Sequence, residues 1–192
     1  MNRRALLAGT GLALATTAGC LETAAETGDA STDDPGAKRY HVSLDVTDEQ
    51  PAAEFDTELA VEVVTESVRD AAPAEIRVSL TNAESGSITV GSGPGWPFGV
   101  LTLTRDAGNE FPERVPFTSD RYDESEYIPD DVSVSDSVDD GETVTAVYEL
   151  HADAKNLEPA TYDLEVTASL EGGDRTGGHA LTAAVEVLEA DS

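Results

Sequence analysis

Ten carboxylates crowd the segment from Ser119 to Glu142, with Arg121 the single cation among them. Oxygen donors at that density are what calcium requires, roughly six to eight per ion. Asp130, Asp131, Asp139 and Asp140 are the candidate ligands. Their spacing does not follow the EF-hand loop, however, and the rest of the chain is nearly as acidic. A solvated acidic loop is therefore the favoured reading, with no metal assigned. Paired carboxylates also hydrolyse glycosides, but only around a sugar held in a cleft, and Tyr122 and Tyr127 are the only nearby rings to line one. His41, His151 and His179 each fall in or beside a strand-like run, without the close spacing of a zinc helix, and read as exposed strand residues. No Gly-X-Ser-X-Gly elbow occurs. The run "GSGPG" from Gly91 holds a proline unsuited to a phosphate loop opening a helix. No catalytic residue and no cofactor is assigned, and the chain does not read as an enzyme.

The sole cysteine, Cys20, is a different matter. Before it stand Arg3 and Arg4, then an uncharged run rich in Leu and Ala from Ala5 to Gly19. A basic start, a short apolar stretch and small residues make an export signal over residues 1–19. Arg3-Arg4 followed by Ala5-Leu6-Leu7 resembles the twin-arginine signal. "TAGC" at Thr17–Cys20 resembles a lipobox, with Thr17 where Leu is usual. By that resemblance the signal is cut before Cys20, whose thiol carries lipid and anchors the chain at the extracytoplasmic face of the cell membrane. One cysteine excludes an internal disulfide.

Charge narrows the partners. The chain carries 39 acidic residues, all beyond Cys20, against 11 basic ones, for a net −28. Such self-repulsion destabilises a compact domain in dilute buffer, whereas molar salt cuts the Debye length to about 3 Å and screens it. The acidic, lysine-poor, aromatic-poor surface resembles that of haloarchaeal proteins and implies a fold that needs salt. It also excludes nucleic acid as a partner, since one polyanion would have to approach another.

These residues must be carried by elements, and the elements are strands. Residues 20–39 lack hydrophobic periodicity and read as a disordered tether of roughly 25 Å reach. From Tyr40 onward the period is two: Tyr40, Val42, Leu44 and Val46, then Ile76, Val78 and Leu80, then Val144, Ala146, Tyr148 and Leu150. Leu101 with Leu103, the run from Tyr162 to Val166, and the run from Leu181 to Val187 repeat it. Apolar-in, polar-out alternation is the mark of half-buried strands. Residues 58–70 fit strand spacing and also helix spacing, through Leu59, Val63, Val64 and Val68; β-branched content favours the strand. The expectation is all-β: one immunoglobulin-like β-sandwich of seven to eight strands over residues 40–192. "LEPATYDLEV" predicts a tyrosine corner at Tyr162, on the strand F of such a fold.

Three blocks in order, "IRVSLTN", "SGPGWPFGVLTLTRDAGNEF" and "DGETVTAVYEL…LEPATYDLEVTASL", resemble the immunoglobulin-like domain of the intracellular proteinase inhibitor family known from bacilli. The resemblance runs from Glu75 to Leu170. It departs at Ala160, where that family has Gly, and at Phe111, where Trp is usual. It implies the sandwich fold, and as an alternative function the inhibition of a proteinase through an exposed loop.

Between the strands lies "GSGPGWPFG", Gly91–Gly99, with the only tryptophan. Trp96 and Phe98 either fold back to plug the core or stand out as anchors for a partner. On the second reading they are the candidate contact residues of a lipid-anchored binding or accessory domain. Its expected partner is a protein or glycan at the cell surface.

Overall fold

The computed structural model describes residues 39–69, 72–108, 111–121 and 133–190. Arg3, Arg4 and Cys20 of the export and lipidation reading, and the calcium candidates Asp130 and Asp131, lie outside the described residues. So does the tether up to Lys38.

Two antiparallel sheets face one another in an immunoglobulin-like sandwich. The larger takes β1 (Tyr40–Gln50), β3 (Ser67–Val68), β5 (Ile88–Ser92), β8 (Val134–Val138), β10 (Ala160–Gly172) and β11 (Arg175–Glu189). Its order is β3-β1-β11-β10-β5-β8, with β6 (Thr102–Arg105) beside β10 and β7 (Glu113–Pro116) beside β6. The smaller sheet is β2 (Thr57–Thr65), β4 (Ala74–Asn82) and β9 (Thr143–Leu150), in the order β2-β4-β9. Each long strand turns its apolar alternate inward. Ile76, Val78 and Leu80 of β4 meet Leu164, Val166 and Leu170 of β10 in one core, all fully buried.

The described residues form 11 strands, beyond the seven or eight read from alternation. The additions have no alternation to read. β3 is two residues long, and β7 buries one valine, Val115, and ends at a proline. β8 reads "VSDSV" and buries only Val138. That last strand ends the sheet, and Asp136 stands on its inward parity opposite Val90. An inward-pointing charge on an edge strand opposes pairing with another chain. Over residues 58–70 the strand alternative holds. The pairing register slips between Val63 and Thr65, yet the inward–outward alternation runs on through Thr65 and leaves Val64 exposed. The helix-like spacing joins residues of unlike setting, Val64 exposed on β2 and Val68 buried on β3.

The predicted tyrosine corner is present. Tyr162 is 1% exposed, and its phenolic oxygen accepts the Glu158 N–H at 3.0 Å and donates to the Glu158 carbonyl at 2.9 Å. Asn156 supplies the left-handed turn before it, at φ 65°, a conformation asparagine adopts readily.

One end of the sandwich is closed by Arg175, in the β10–β11 hairpin. Its guanidinium binds both Glu84 carboxylate oxygens, at 2.7 and 2.6 Å, donates to the Glu54 carbonyl and lies over the Phe55 ring. The Arg175 hydrogen bond holds the Glu84 carboxyl below its ordinary value near 4.5, against a smaller upward push from desolvation. A depressed folded-state value means the clamp stabilises fully above the ordinary carboxyl range and is lost as pH falls through the folded one. The melting temperature of wild type is therefore expected to exceed that of Glu84→Gln at neutral pH, with the gap closing on acidification. A gap that stays constant into strong acid would show the ion pair contributes nothing.

Candidate functional site

The loop from Gly93 to Gly99 follows β5 directly, and its backbone is tightly fixed. Gly95 and Gly99 take φ of 81° and 75°, the Gly99 N–H bonds the Gly95 carbonyl at 2.8 Å, and the Trp96–Pro97 peptide is cis. Positive φ at both ends of this closure is why glycine stands there. The Trp96 indole N–H donates to the Val90 carbonyl at 2.9 Å, and its half-buried ring packs on the core. From the opposite sheet the buried Tyr148 hydroxyl donates to the Gly99 carbonyl at 2.9 Å. Burial pushes that phenol well above its ordinary value.

These facts correct the reading of Phe98 as a partner anchor. Phe98 is 4% exposed and belongs to the core, so it offers no face to a macromolecule. Trp96 keeps a half-exposed ring and gives its indole N–H to the Val90 carbonyl.

What the loop does shape is a groove of ≈ 470 Å³ on the outer face of the larger sheet. Its floor is made by the solvent-side residues of three paired strands: Thr167, Ser169 and Glu171 of β10, Thr89 and Gly91 of β5, and Ser135 of β8. Ser92, Gly93, Phe98 and Ser133 complete the wall. Register produces the shape. Ser169 pairs with Gly91 and Gly91 with Ser135, so a glycine lies between two serines across the sheet. Among the described residues the hydroxyls of Thr89, Ser135, Thr167 and Ser169 make no hydrogen bond to protein. Outward hydroxyls elsewhere vary: Thr104 donates to the Asp163 carbonyl at 3.3 Å and Ser87 to Asp139 at 2.6 Å, whereas those of Ser79, Thr145 and Thr161 make no such bond. Glu171 is the one charged residue of the lining.

The other candidates sit apart. Asp139 and Asp140 occupy the turn between β8 and β9, where Asp139 accepts from Ser87 and its own N–H donates to Glu142 at 2.8 Å. The Asp139 carboxylate thus ties its turn to the β4–β5 loop, and among the described residues no group of three or more acidic, histidine or cysteine side chains is placed to hold a metal. His41 and His151 lie at the surface, each beside a glutamate. His179 does not: it is fully buried, a departure from the expected exposed strand position. Its ring nitrogens meet Thr57 Oγ1 at 3.0 Å and Glu49 Oε1 at 3.0 Å. The order hydroxyl, imidazole, carboxylate is that of a nucleophile relay. Thr57, however, is 8% exposed, leaving a substrate no approach to its hydroxyl. The arrangement instead satisfies a buried imidazole at both nitrogens and ties β1, β2 and β11 together.

A family model described as a domain of unknown function, DUF8130, matches residues 1–172. The chain belongs to that family. The match takes in the Gly91–Gly99 loop and every strand through the end of β10, hence all three floor strands of the groove in this DUF8130 domain. No curated protein and no solved structure matches the chain.

Proposed function

We propose that this DUF8130 protein is a lipid-anchored, extracytoplasmic binding domain, without catalytic activity of its own, that meets its partner through the groove beside the Gly93–Gly99 loop. The observation that carries this reading is the groove itself, where three registered strands present hydroxyls together beside a loop fixed by Trp96 and Tyr148. The export-like segment with Arg3 and Arg4, the lipobox-like "TAGC" and the acidic, salt-adapted composition support the location. Lipid on Cys20 attaches the chain to the membrane, and the tether presents the sandwich beyond it.

Membrane fractionation and crosslinking in intact cells at native salt test both halves. Wild type is expected with the membranes, and Cys20→Ser in the soluble fraction. A reproducible crosslinked partner is expected for wild type and not for Thr167→Arg, which fills the groove from an exposed strand position. Membrane retention of Cys20→Ser would overturn the anchor, and an unchanged partner in Thr167→Arg would overturn the groove as the contact. Capture of a proteinase by that variant would favour the inhibitor alternative drawn from the family resemblance.

A further inference from the structure

Resting on the binding reading above, we propose that the groove is a site for a neutral saccharide. The composition of its wall argues against anions, calcium and apolar ligands in turn. Among its lining residues there is no lysine, arginine or histidine, so phosphate, sulfate or a uronate would meet only the Glu171 carboxylate within a chain of net charge −28. One carboxylate is too few for calcium. Apolar ligands take pockets lined mostly by hydrophobic and aromatic side chains, and here the one ring, Phe98, is 4% exposed. A polyhydroxylated neutral molecule fits what remains. Its hydroxyls both donate and accept, as do those of serine and threonine, so each contact pairs whichever way the proton points. Glu171 adds an acceptor for one sugar hydroxyl.

Gly91 supplies the second, independent observation. Its φ is not positive, and a Cβ built on it would meet the Ser135 and Ser169 Cβ atoms at 3.8 Å each, an ordinary contact. Neither backbone conformation nor crowding calls for glycine there, and glycine inside a strand costs roughly 0.5–1 kcal/mol relative to alanine. The missing side chain has one structural consequence: it leaves the hollow between the two serines open. Gly93, with nothing within 4 Å of its Cβ position and no positive φ, extends that opening. Hydrogen bonding to a neutral ligand is also little affected by molar salt, which screens ion pairs.

Saturation-transfer-difference NMR on the full chain in molar salt tests this, with cello-, malto-, galacto- and manno-oligosaccharides and a uronic-acid oligomer as probes. Transfer is expected to at least one neutral oligosaccharide and not to the uronic-acid oligomer. Gly91→Val, which fills the hollow with a strand-favouring side chain, is expected to abolish it with an unchanged circular dichroism spectrum. Thr167→Val, isosteric and exposed, is expected to weaken it, and decides the matter if Gly91→Val does not fold. Transfer to none of the neutral sugars, preference for the uronate, or binding unchanged in both variants would each overturn the proposal. Absent sugar binding with a crosslinked partner still lost in Thr167→Arg would sink the saccharide alone. Absence of both would sink the binding groove as well.

Discussion

Tyr162→Ala is expected to lower the stability of the sandwich by about 4 kcal/mol, and Tyr162→Phe by about 1–2 kcal/mol. The larger figure is that of deleting a buried aromatic ring. Tyr162 is 1% exposed within the core, beneath the Arg105 guanidinium at 5.4 Å, and Arg105 itself binds Glu113 and Glu158. The smaller figure isolates the hydroxyl. Phenylalanine keeps the ring but leaves the Glu158 N–H without its 3.0 Å acceptor and the Glu158 carbonyl without its 2.9 Å donor. Small domains hold only about 5–15 kcal/mol in reserve, so the alanine variant approaches the limit of folding while the phenylalanine variant does not. Urea denaturation of the three proteins in molar salt measures both. A Tyr162→Phe variant as stable as wild type would mean that the ring alone holds the corner.

That corner is legible in the residues alone because its signal is local: a proline turn, a tyrosine, then alternation in "LEPATYDLEV". The long strands are legible for a related reason. One face of β4, β9, β10 and β11 is covered by the opposite sheet and the other meets solvent, so burial and sequence share a period of two. Legibility fails where that condition fails. β8 lies at an edge, and Val134 and Asp136 stand at inward parity yet are exposed, so nothing in "VSDSV" announces a strand. β2 keeps the period, but an exposed valine on its outer side, Val64, supplies a competing helix-like spacing. The groove is hidden more thoroughly. Thr89, Ser135, Thr167 and Ser169 are unremarkable outward residues of three strands, and only the register that sets Gly91 between two serines makes a site of them. The contact of His179 with Thr57 and Glu49 is likewise a product of β1, β2 and β11 meeting in space. The loop holding Trp96 can be located from composition, because glycine, proline and tryptophan together cannot continue a strand. Which way its rings point depends on the Val90 carbonyl and on Tyr148, partners no local pattern specifies.

The same partners fix what substitution of those rings will show. Phe98→Ala is expected to cost about 3–5 kcal/mol, the range for removing a buried phenylalanine. It removes a wall of the groove and a core contact together, since Phe98 belongs to both. Hydrogen exchange at the Gly99 amide, which bonds the Gly95 carbonyl at 2.8 Å, is expected to accelerate in this variant as the loop loosens. Trp96→Phe should be far milder, at about 1 kcal/mol, because it keeps a ring on the core and gives up one hydrogen bond to Val90. A Phe98→Ala protein as stable as wild type, with Gly99 still protected, would place the ring outside the core and restore it as a surface anchor. Otherwise, loss of a ligand in Phe98→Ala reports a collapsed wall, and only the milder variant can tell whether an aromatic face touches the ligand. Trp96→Phe that binds as wild type does would leave recognition to the hydroxyls on the strands. The tryptophan then serves as the fastening of the loop, which explains why so aromatic-poor a chain sets its largest ring there.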